Sequence, residues 1–530
     1  MHEIITLQFG QQSNYLATHF WNAQESYFTY SADQESPVNH DIHWRPGIGA
    51  DGAETFMPRT VIYDLKGGFG SLRKINALYD VMEDKPPEAL WSGQTVVQRQ
   101  EPIEQSAYQQ SLDAGLEAPP LSTETVRYWS DFNRVFFHPR SVVQLDEYEL
   151  NSAIRPFDKR ASGEELFSSL DREHDLLDRD LRPFAEEADH MQGIQIMTTI
   201  DDAWGGFMTR YLERIRDEYG KTTVWVWGLQ DSLRGVPREK RLLRLANKAQ
   251  TLTEAYKQAS LLVPVSIPER PLPRNISLDL ASRWHTSALL ATAIESVTLP
   301  SRLKHAQDRD AMGTITDLLN VMGKQTVASL SMSLQPSSHD HPAAPAVSGD
   351  THPEGAAAES LSLDIDFSPP DELPQQSSRQ NGHKQARVFG QVVTSRGPVI
   401  KDEAAETTTA TTTTTSEADH REEVIRRRHA QQSFSRRYRT DLGYPLPDSF
   451  PRIFLDGDAG RPLPSGASAG VTAALSTESA VCDRLRQLRG TVVRSIGLVD
   501  REGLSNDLAE MADEYHDGWS SGSDIGDDDD

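Results

Sequence analysis

Three things are scarce in this chain of 530 residues: cysteine, basic charge and long apolar runs. One cysteine, Cys482, cannot form an internal disulfide or a Cys-based metal site, and it fits a reducing compartment. Lys and Arg number 53 against 79 Asp and Glu, and the resulting net charge of −26 argues against general nucleic-acid affinity. Because no run of about 18 apolar residues occurs, the sequence predicts no transmembrane segment. The start of the chain carries Glu3 and no Arg, which predicts no cleavable presequence.

The length suffices for two or three domains, but a hydrophobic content of 37% is low for a chain that packs throughout. Composition changes near residue 336, where Pro, Ala, Ser and His replace periodic apolar sequence, and this predicts disorder. The predicted layout is an N-terminal α/β domain (1–260), the start of a second domain (261–335), a disordered insertion (336–385), a core strand (386–400), a low-complexity and then basic linker (401–440), a packed C-terminal region (441–510) and an acidic tail (511–530).

Alternating strands and helices predict the α/β class for the first part. EIITLQF (3–9) reads as a strand, Gly10 as a turn, and Asn14 as a possible cap of the helix that follows. GIQIMTT (193–199), the loop IDDAWGG (200–206) and the helix after it lead to the apolar strand TTVWVWGL (222–229). This order is a βαβ unit, which is typical of a parallel sheet.

The first 21 residues resemble the start of tubulin, where the first strand leads into a nucleotide loop. PRTVIYDL (58–65), ending in Asp64, resembles a second tubulin segment. Four stretches together resemble the Misato family: YWSDFNRVFFHPRSV (128–142), the IDDAWGGF loop (200–207), WHTSALLATAIESVTLPSRL (284–303) and LGYPLPDSFPRIF (442–454). That resemblance implies a tubulin-like α/β fold with a second α+β region and disordered insertions. Its fungal members are described as acting in mitochondrial partitioning and mitochondrial DNA inheritance.

The tubulin resemblance also implies a nucleotide site, which this sequence retains only in part. Two carboxylates and Trp204 stand where consecutive glycines would cradle phosphates, and each like-charge contact at about 4 Å costs about 4 kcal/mol at an effective dielectric near 20. Lys66 replaces an acidic residue near the nucleotide, and Asn247 could match a base-reading asparagine. We therefore predict a vestigial site without catalytic residues, made of Gly10, Gln11, Gln12, Asn14, Asp64, Gly205, Gly206 and Asn247. A simpler interpretation of Gln11 and Asn14 is that they cap a turn and a helix.

The expected function is that of a non-catalytic, tubulin-like factor that recognises protein partners, possibly tubulin or cytoskeletal or chaperonin components. The alternative is a divergent GTPase that cycles or polymerises, for which GTP would be the cofactor. The resemblance implies a location at the mitochondrial periphery with a cytoplasmic pool.

Two further features are candidate binding sites. The arginine-rich segment 421–439, with Phe434 and Tyr438 among its basic residues, could contact nucleic acid or anionic lipid, but a solvated linker is favoured. His339, His341 and His352 lie in low-complexity sequence, so no metal site is predicted.

Overall fold

The computed structural model describes residues 2–29, 35–48, 54–72, 103–269, 271–305, 309–335, 363–369, 386–397, 433–456, 460–494 and 500–516. The strands are β1 (Ile4–Phe9), β2 (Trp44–Ile48), β3 (Glu54–Pro58), β4 (Thr60–Lys66), β5 (Val142–Glu149), β6 (Gly193–Thr199), β7 (Thr223–Leu229), β8 (Leu261–Val265), β9 (Ser329–Leu334), β10 (Ile365–Asp366), β11 (Val388–Arg396), β12 (Phe434–Thr440), β13 (Tyr444–Pro445), β14 (Leu455–Asp456), β15 (Arg461–Pro462), β16 (Ser468–Ala469) and β17 (Val471–Glu478). The α-helices are α1 (Gln11–Glu25), α2 (Ala107–Asp113), α3 (Arg160–His174), α4 (Arg182–Glu186), α5 (Ala203–Glu218), α6 (Arg238–Gln258), α7 (Arg283–Thr298), α8 (Met312–Leu319), α9 (Ala480–Arg494) and α10 (Arg501–Asp513).

The first sheet is parallel, with the strand order β5-β4-β1-β6-β7-β8. In its centre, Leu7 of β1 lies opposite Val61 of β4 and Ile196 of β6. β1 and β6 are buried along their whole length, as expected for strands covered on both faces. This sheet confirms the predicted α/β class.

Helices cover the two faces of the first sheet differently. α3, α5 and α6 pack on one face, around Phe207, Tyr211 and Leu245. α1 and α7 pack on the other face and separate it from the second sheet. α7 is buried on nearly all sides, so its sequence shows little amphipathic pattern.

The second sheet has the order β10-β9-β17-β11-β12, in which β11 and β12 run parallel and the other neighbours antiparallel. α7 contacts β9, β11 and β17 from the side of the first sheet. The two sheets therefore share one apolar core across α1 and α7.

A group of fully buried charges, here called the buried ion cluster, ties these layers together. Glu295 on α7 pairs with Arg302 at 2.6 Å and with Arg396 on β11, and all three side chains are 0% exposed. Tyr27 donates to Glu295 Oε1 at 2.9 Å and accepts from Arg396 at 2.7 Å. Arg396 also donates to the carbonyls of Leu442 and Gly443. The cluster joins the end of α1, α7, β11 and the chain before β13.

Several predicted boundaries are corrected by the structure. β8 pairs with β7, so the first sheet runs to Val265 and not to residue 260. Most of the predicted insertion 336–385 lies outside the described residues, but Ile365–Asp366 within it pairs with β9. The predicted tail from 511 is wrong at its start, because α10 extends to Asp513 and Tyr515 is fully buried.

The basic segment is also corrected in part. Its end forms the edge strand β12. Phe434 and Tyr438 on one face of this strand are buried, whereas Arg437 and Arg439 on the other face are exposed. This alternation is the period of a half-buried strand, and charged residues protect sheet edges from unwanted pairing. Residues 421–432 lie outside the described part of the chain. Within the core strand predicted at 386–400 lies β11, Val388–Arg396, and residues 398–400 lie outside the described part of the chain.

Among the described residues, none of the helices combines the length and apolarity required to cross a membrane.

Candidate ligand cleft at the carboxyl edge of the first sheet

The strands of a parallel sheet deliver their following loops to one edge, where α/β proteins commonly bind ligands. Here that edge holds a cavity of about 380 Å³, called the acidic cavity. Six carboxyl side chains line it, namely Asp64, Glu149, Asp158, Asp201, Asp202 and Asp231. Three basic side chains line it as well, namely Lys240, Arg244 and Arg283. Gln11, Gln12 and Trp204 line it as well.

Asp64 ends the apolar part of β4 and is fully buried. Its Oδ2 accepts hydrogen bonds from Gln11 Nε2 at 2.6 Å and Asn14 Nδ2 at 2.7 Å, and its Oδ1 accepts from the Leu65 N–H. Burial raises the pKa of Asp64 to about 7, although these three bonds favour its charged form. Gln11 and Asn14 therefore fix the position of the Asp64 carboxyl group.

The prediction that Asn14 caps α1 is wrong. The helix begins at Gln11, directly after Gly10, and has no side-chain cap. Gly10 has φ of 82°, a left-handed conformation that glycine adopts without strain and that lets the strand turn at once into the helix. Asn14 lies inside the helix with its side chain turned to Asp64.

Asp201 and Asp202 form the loop between β6 and α5. Asp202 is the N-cap of α5: its Oδ1 accepts from the Trp204 N–H at 2.9 Å and from Thr199 Oγ1 at 2.5 Å. Burial raises the pKa of Asp202 to about 6. Burial, together with the charges of Asp202 and Asp231, raises the pKa of Asp201 well above its usual range. Both shifts indicate a desolvated, electronegative position at the start of the helix.

Trp204 closes the space in front of Gly10. A Cβ on Gly10 would lie 2.3 Å from Trp204 Nε1, so the indole rests directly on the glycine backbone. Phe157 and Phe207 contact the indole edge to face, with ring centroids 5.1 and 5.6 Å away. Two aromatic rings thus pack against Trp204 in this position.

The remaining predicted site residues serve helix packing. A Cβ on Gly205 would lie 2.5 Å from Thr251 Oγ1, and one on Gly206 would lie 2.1 Å from the Arg160 carbonyl. Asn247 donates to the carbonyls of Asp158 and Asp201 and accepts from the Arg160 N–H. Both the Nδ2 and the Oδ1 atom of Asn247 are therefore hydrogen-bonded within the fold.

A tubulin-like fold implies GTP, so we compared these residues with the needs of a triphosphate. Two features favour an anion: the uncapped N-terminus of α1 at the cavity and the three basic side chains of its lining. Three oppose it, namely the excess of carboxyl groups, the indole of Trp204 against Gly10, and the use of Gly205 and Gly206 for packing. Lys66 is exposed at the end of β4. The residues present do not fit a triphosphate.

Sequence reasoning missed a second cavity of about 730 Å³ beside the acidic one, here called the leucine cavity. It lies between α1, the end of β7 and the start of α7, and Leu16, Leu229 and Leu290 are among its lining residues. Gln12, Asp231 and Arg283 line both cavities. Asp231 follows β7 at the carboxyl edge of the sheet. Because ligands commonly bind at this edge, the loop after β7 could have been predicted as part of the site in the same way as Asp201 after β6.

Comparisons with known proteins agree with this architecture. A family model described as "Misato Segment II tubulin-like domain" matches residues 2–114, and one described as "Tubulin domain" matches residues 118–303. "Protein dml-1" of Neurospora crassa is 60% identical over all of both chains. The chain belongs to the Misato/DML1 family.

Other relatives in the Misato/DML1 family show how far the similarity reaches. "Protein DML1" of Gibberella zeae is 48% identical over 100% of both chains. "Protein dml1" of Schizosaccharomyces pombe is 33% identical over 57% of this chain and 66% of its own length. The match to the tubulin domain model confirms the predicted tubulin-like fold.

Proposed function

We propose that this protein is a non-catalytic member of the Misato/DML1 family that acts in mitochondrial partitioning and mitochondrial DNA inheritance by recognising other proteins. The observation that carries the non-catalytic part is the position of Trp204 on Gly10, beside the carboxyl groups of Asp201 and Asp202. The mitochondrial part rests on the family resemblance. The partners would be tubulin or other cytoskeletal or chaperonin components, met at the mitochondrial periphery and in the cytoplasm.

The competing function is that of a divergent GTPase, which the uncapped start of α1 favours. Isothermal titration of the purified protein with GTP and Mg²⁺ separates the two. We expect no saturable heat up to millimolar nucleotide and no released phosphate, with tubulin as the positive control. Micromolar binding with hydrolysis would establish the GTPase instead.

The mitochondrial role needs a test in a cell. In Neurospora crassa, the gene of the full-length relative can be placed under a repressible promoter and complemented by this chain. We expect repression to disturb mitochondrial distribution and to lower mitochondrial DNA copy number, and complementation to restore both. Unchanged mitochondria and unchanged copy number after repression would contradict the proposal, whatever the nucleotide titration shows.

A further inference from the structure

The second sheet has a free edge along β12. This strand stands last in the strand order, and among the described residues only β11 pairs with it. Because the Gly397 N–H donates to the carbonyl of Thr440, the backbone groups of Thr440 and of every second residue before it face β11. Those of Ser435, Arg437 and Arg439 point outward, where no described residue bonds to them. Such a row of unpaired donors and acceptors is a surface on which another segment can dock.

The side chains of this edge carry positive charge that the described residues do not balance. Arg436 is paired with Asp310 at 2.8 Å. Arg437 and Arg439 are exposed and form no ion pair with any described residue. They stand two positions apart in a strand, so they leave the same face about 7 Å from each other. In a chain with a net charge of −26, this pair favours an occupant that carries several carboxylates.

One segment of the chain itself has that chemistry. Residues 517–530, here called the aspartate tail, read DGWSSGSDIGDDDD and contain six aspartates and no basic residue. In an extended chain, alternate carboxylates of Asp527–Asp530 recur at the spacing of the two arginines. Asp and Gly form strands poorly, so ion pairs to the guanidinium groups contribute more to such a contact than a regular β-ladder would.

The aspartate tail also starts within reach of β12. The Tyr515 hydroxyl accepts from the Val327 N–H at 2.7 Å, just before β9 begins. Pairing of β9 with β17, of β17 with β11 and of β11 with β12 places Ser329 level with Ser435. Three strand spacings separate these two residues, about 14 Å. The residues of the tail extend to about 46 Å, which is enough to pass around the end of the sheet and follow β12.

We propose that residues 524–530 of this chain lie along the free edge of β12, with their aspartates on Arg437 and Arg439. The contact covers the outward backbone groups and balances the two guanidinium charges. It also shields the edge from pairing with a second chain. This surface belongs to a different sheet from the acidic cavity, and the inference does not depend on the proposed function.

Hydrogen exchange of the full-length protein, read at single residues, tests the contact. The comparison variant changes Asp524 and Asp527–Asp530 to Asn, which removes charge at nearly constant size. We expect the Arg437 and Arg439 amides to exchange at least about fivefold faster in this variant, because their N–H groups lose their cover. β5, an edge strand of the first sheet, is the internal control and should exchange alike in both proteins. Equal exchange at Arg437 and Arg439 in the two proteins would overturn the proposal.

Cross-linking identifies the segment on the edge. Arg437→Lys places an amine there, and a zero-length carbodiimide joins amines to carboxylates in direct contact. We expect a link within one chain from position 437 to the aspartates of 524–530, at least about fivefold more abundant than from position 172 in the matched variant Arg172→Lys. Arg172 is exposed on α3, in the layer that covers the first sheet.

Two further readings complete the cross-linking experiment. Circular dichroism and melting temperature should show that both lysine variants are folded, and 1 M salt should lower the yield at position 437 because exposed ion pairs are screened. Links from position 437 only to a second chain, or only to carboxylates outside the aspartate tail, would overturn the assignment of the occupant. Equal yields at positions 437 and 172 would do the same.

Discussion

The molecule buries charge in two places, and the two are built in opposite ways. In the buried ion cluster, Glu295 lies between Arg302 and Arg396, and both of its carboxylate oxygens are bonded. In the acidic cavity, Asp201 and Asp202 are adjacent like charges, and Asp201 Oδ2 has no hydrogen-bond partner among the described residues. The carboxylate of Glu295 is thus fully paired within the chain, although Arg302 Nε has no hydrogen-bond partner among the described residues, whereas Asp201 keeps one carboxyl oxygen unpaired.

The contrast separates structural from functional burial of charge. Removing one partner of a satisfied buried pair leaves an uncompensated charge, so the ion cluster should matter for stability. Like charges held together with raised pKa values cost stability and are typical of functional sites. We therefore assign the ion cluster to holding α1, α7 and β11 together.

The largest expected effect is at the ion cluster. Glu295→Ala leaves Arg302 and Arg396 buried without a counter-charge, which should cost about 3–5 kcal/mol of unfolding free energy. Urea unfolding measures this loss. Glu213→Gln is the matched control, because its pair with Arg210 is exposed and worth at most about 1 kcal/mol. Equal losses in the two variants would remove the contrast between the two regions.

The next effect is the pH dependence at Asp64. The pKa of Asp64 is higher in the folded than in the unfolded state, so the folded state retains a proton that the unfolded state has lost. The free energy of unfolding of the wild type therefore falls as pH rises from about 4 to about 7. Relative to wild type, Asp64→Asn should gain stability as pH rises from 5 to 7, by at most about 1.4 kcal/mol per pH unit, and level off above. Urea unfolding at intervals across this range gives the difference. A difference that falls with rising pH would contradict the assignment.

A smaller effect is expected at the glycines of α5. Gly206→Ala places a methyl group against the Arg160 carbonyl, and overpacking of this kind costs about 1–3 kcal/mol. Thermal unfolding should show the lower melting temperature. Gly490→Ala is the control: its Cβ would lie 3.4 Å from Nη2 of the exposed Arg494 side chain, so the gain in helix propensity should leave the variant as stable as wild type or more so. If Gly206→Ala were neutral, the packing role of this glycine would be wrong.

The frame of the fold could be predicted from local sequence. The apolar runs at 3–9, 193–199 and 222–229 are β1, β6 and β7, because strands covered on both faces carry continuous apolar sequence. The strand β12 could not be predicted, since its alternation of Phe434 and Tyr438 with arginines is hidden in a longer basic run. Local composition indicated a linker, and only pairing with β11 makes it a strand.

The candidate site could be predicted by position but not by the roles of its residues. Gly10, Asp64 and Asp201 do meet at one edge, as the order of strands and loops requires. That Asn14 holds Asp64 depends on a contact 50 residues apart, which no local pattern encodes. Asp201 Oδ2 and Gln230 Oε1 are buried without a hydrogen-bond partner among the described residues, and no local sequence pattern predicts such an unpaired atom.

The most direct test of the central claim is the nucleotide content of the protein purified in its native state. Acid extraction followed by chromatography measures guanine nucleotide per chain, with tubulin treated in parallel as the reference. Because Trp204 lies against Gly10 and Asp201 and Asp202 line the adjoining cavity, we predict only traces of nucleotide from this protein and a stoichiometric amount from tubulin. One tightly held guanine nucleotide per chain would contradict the account.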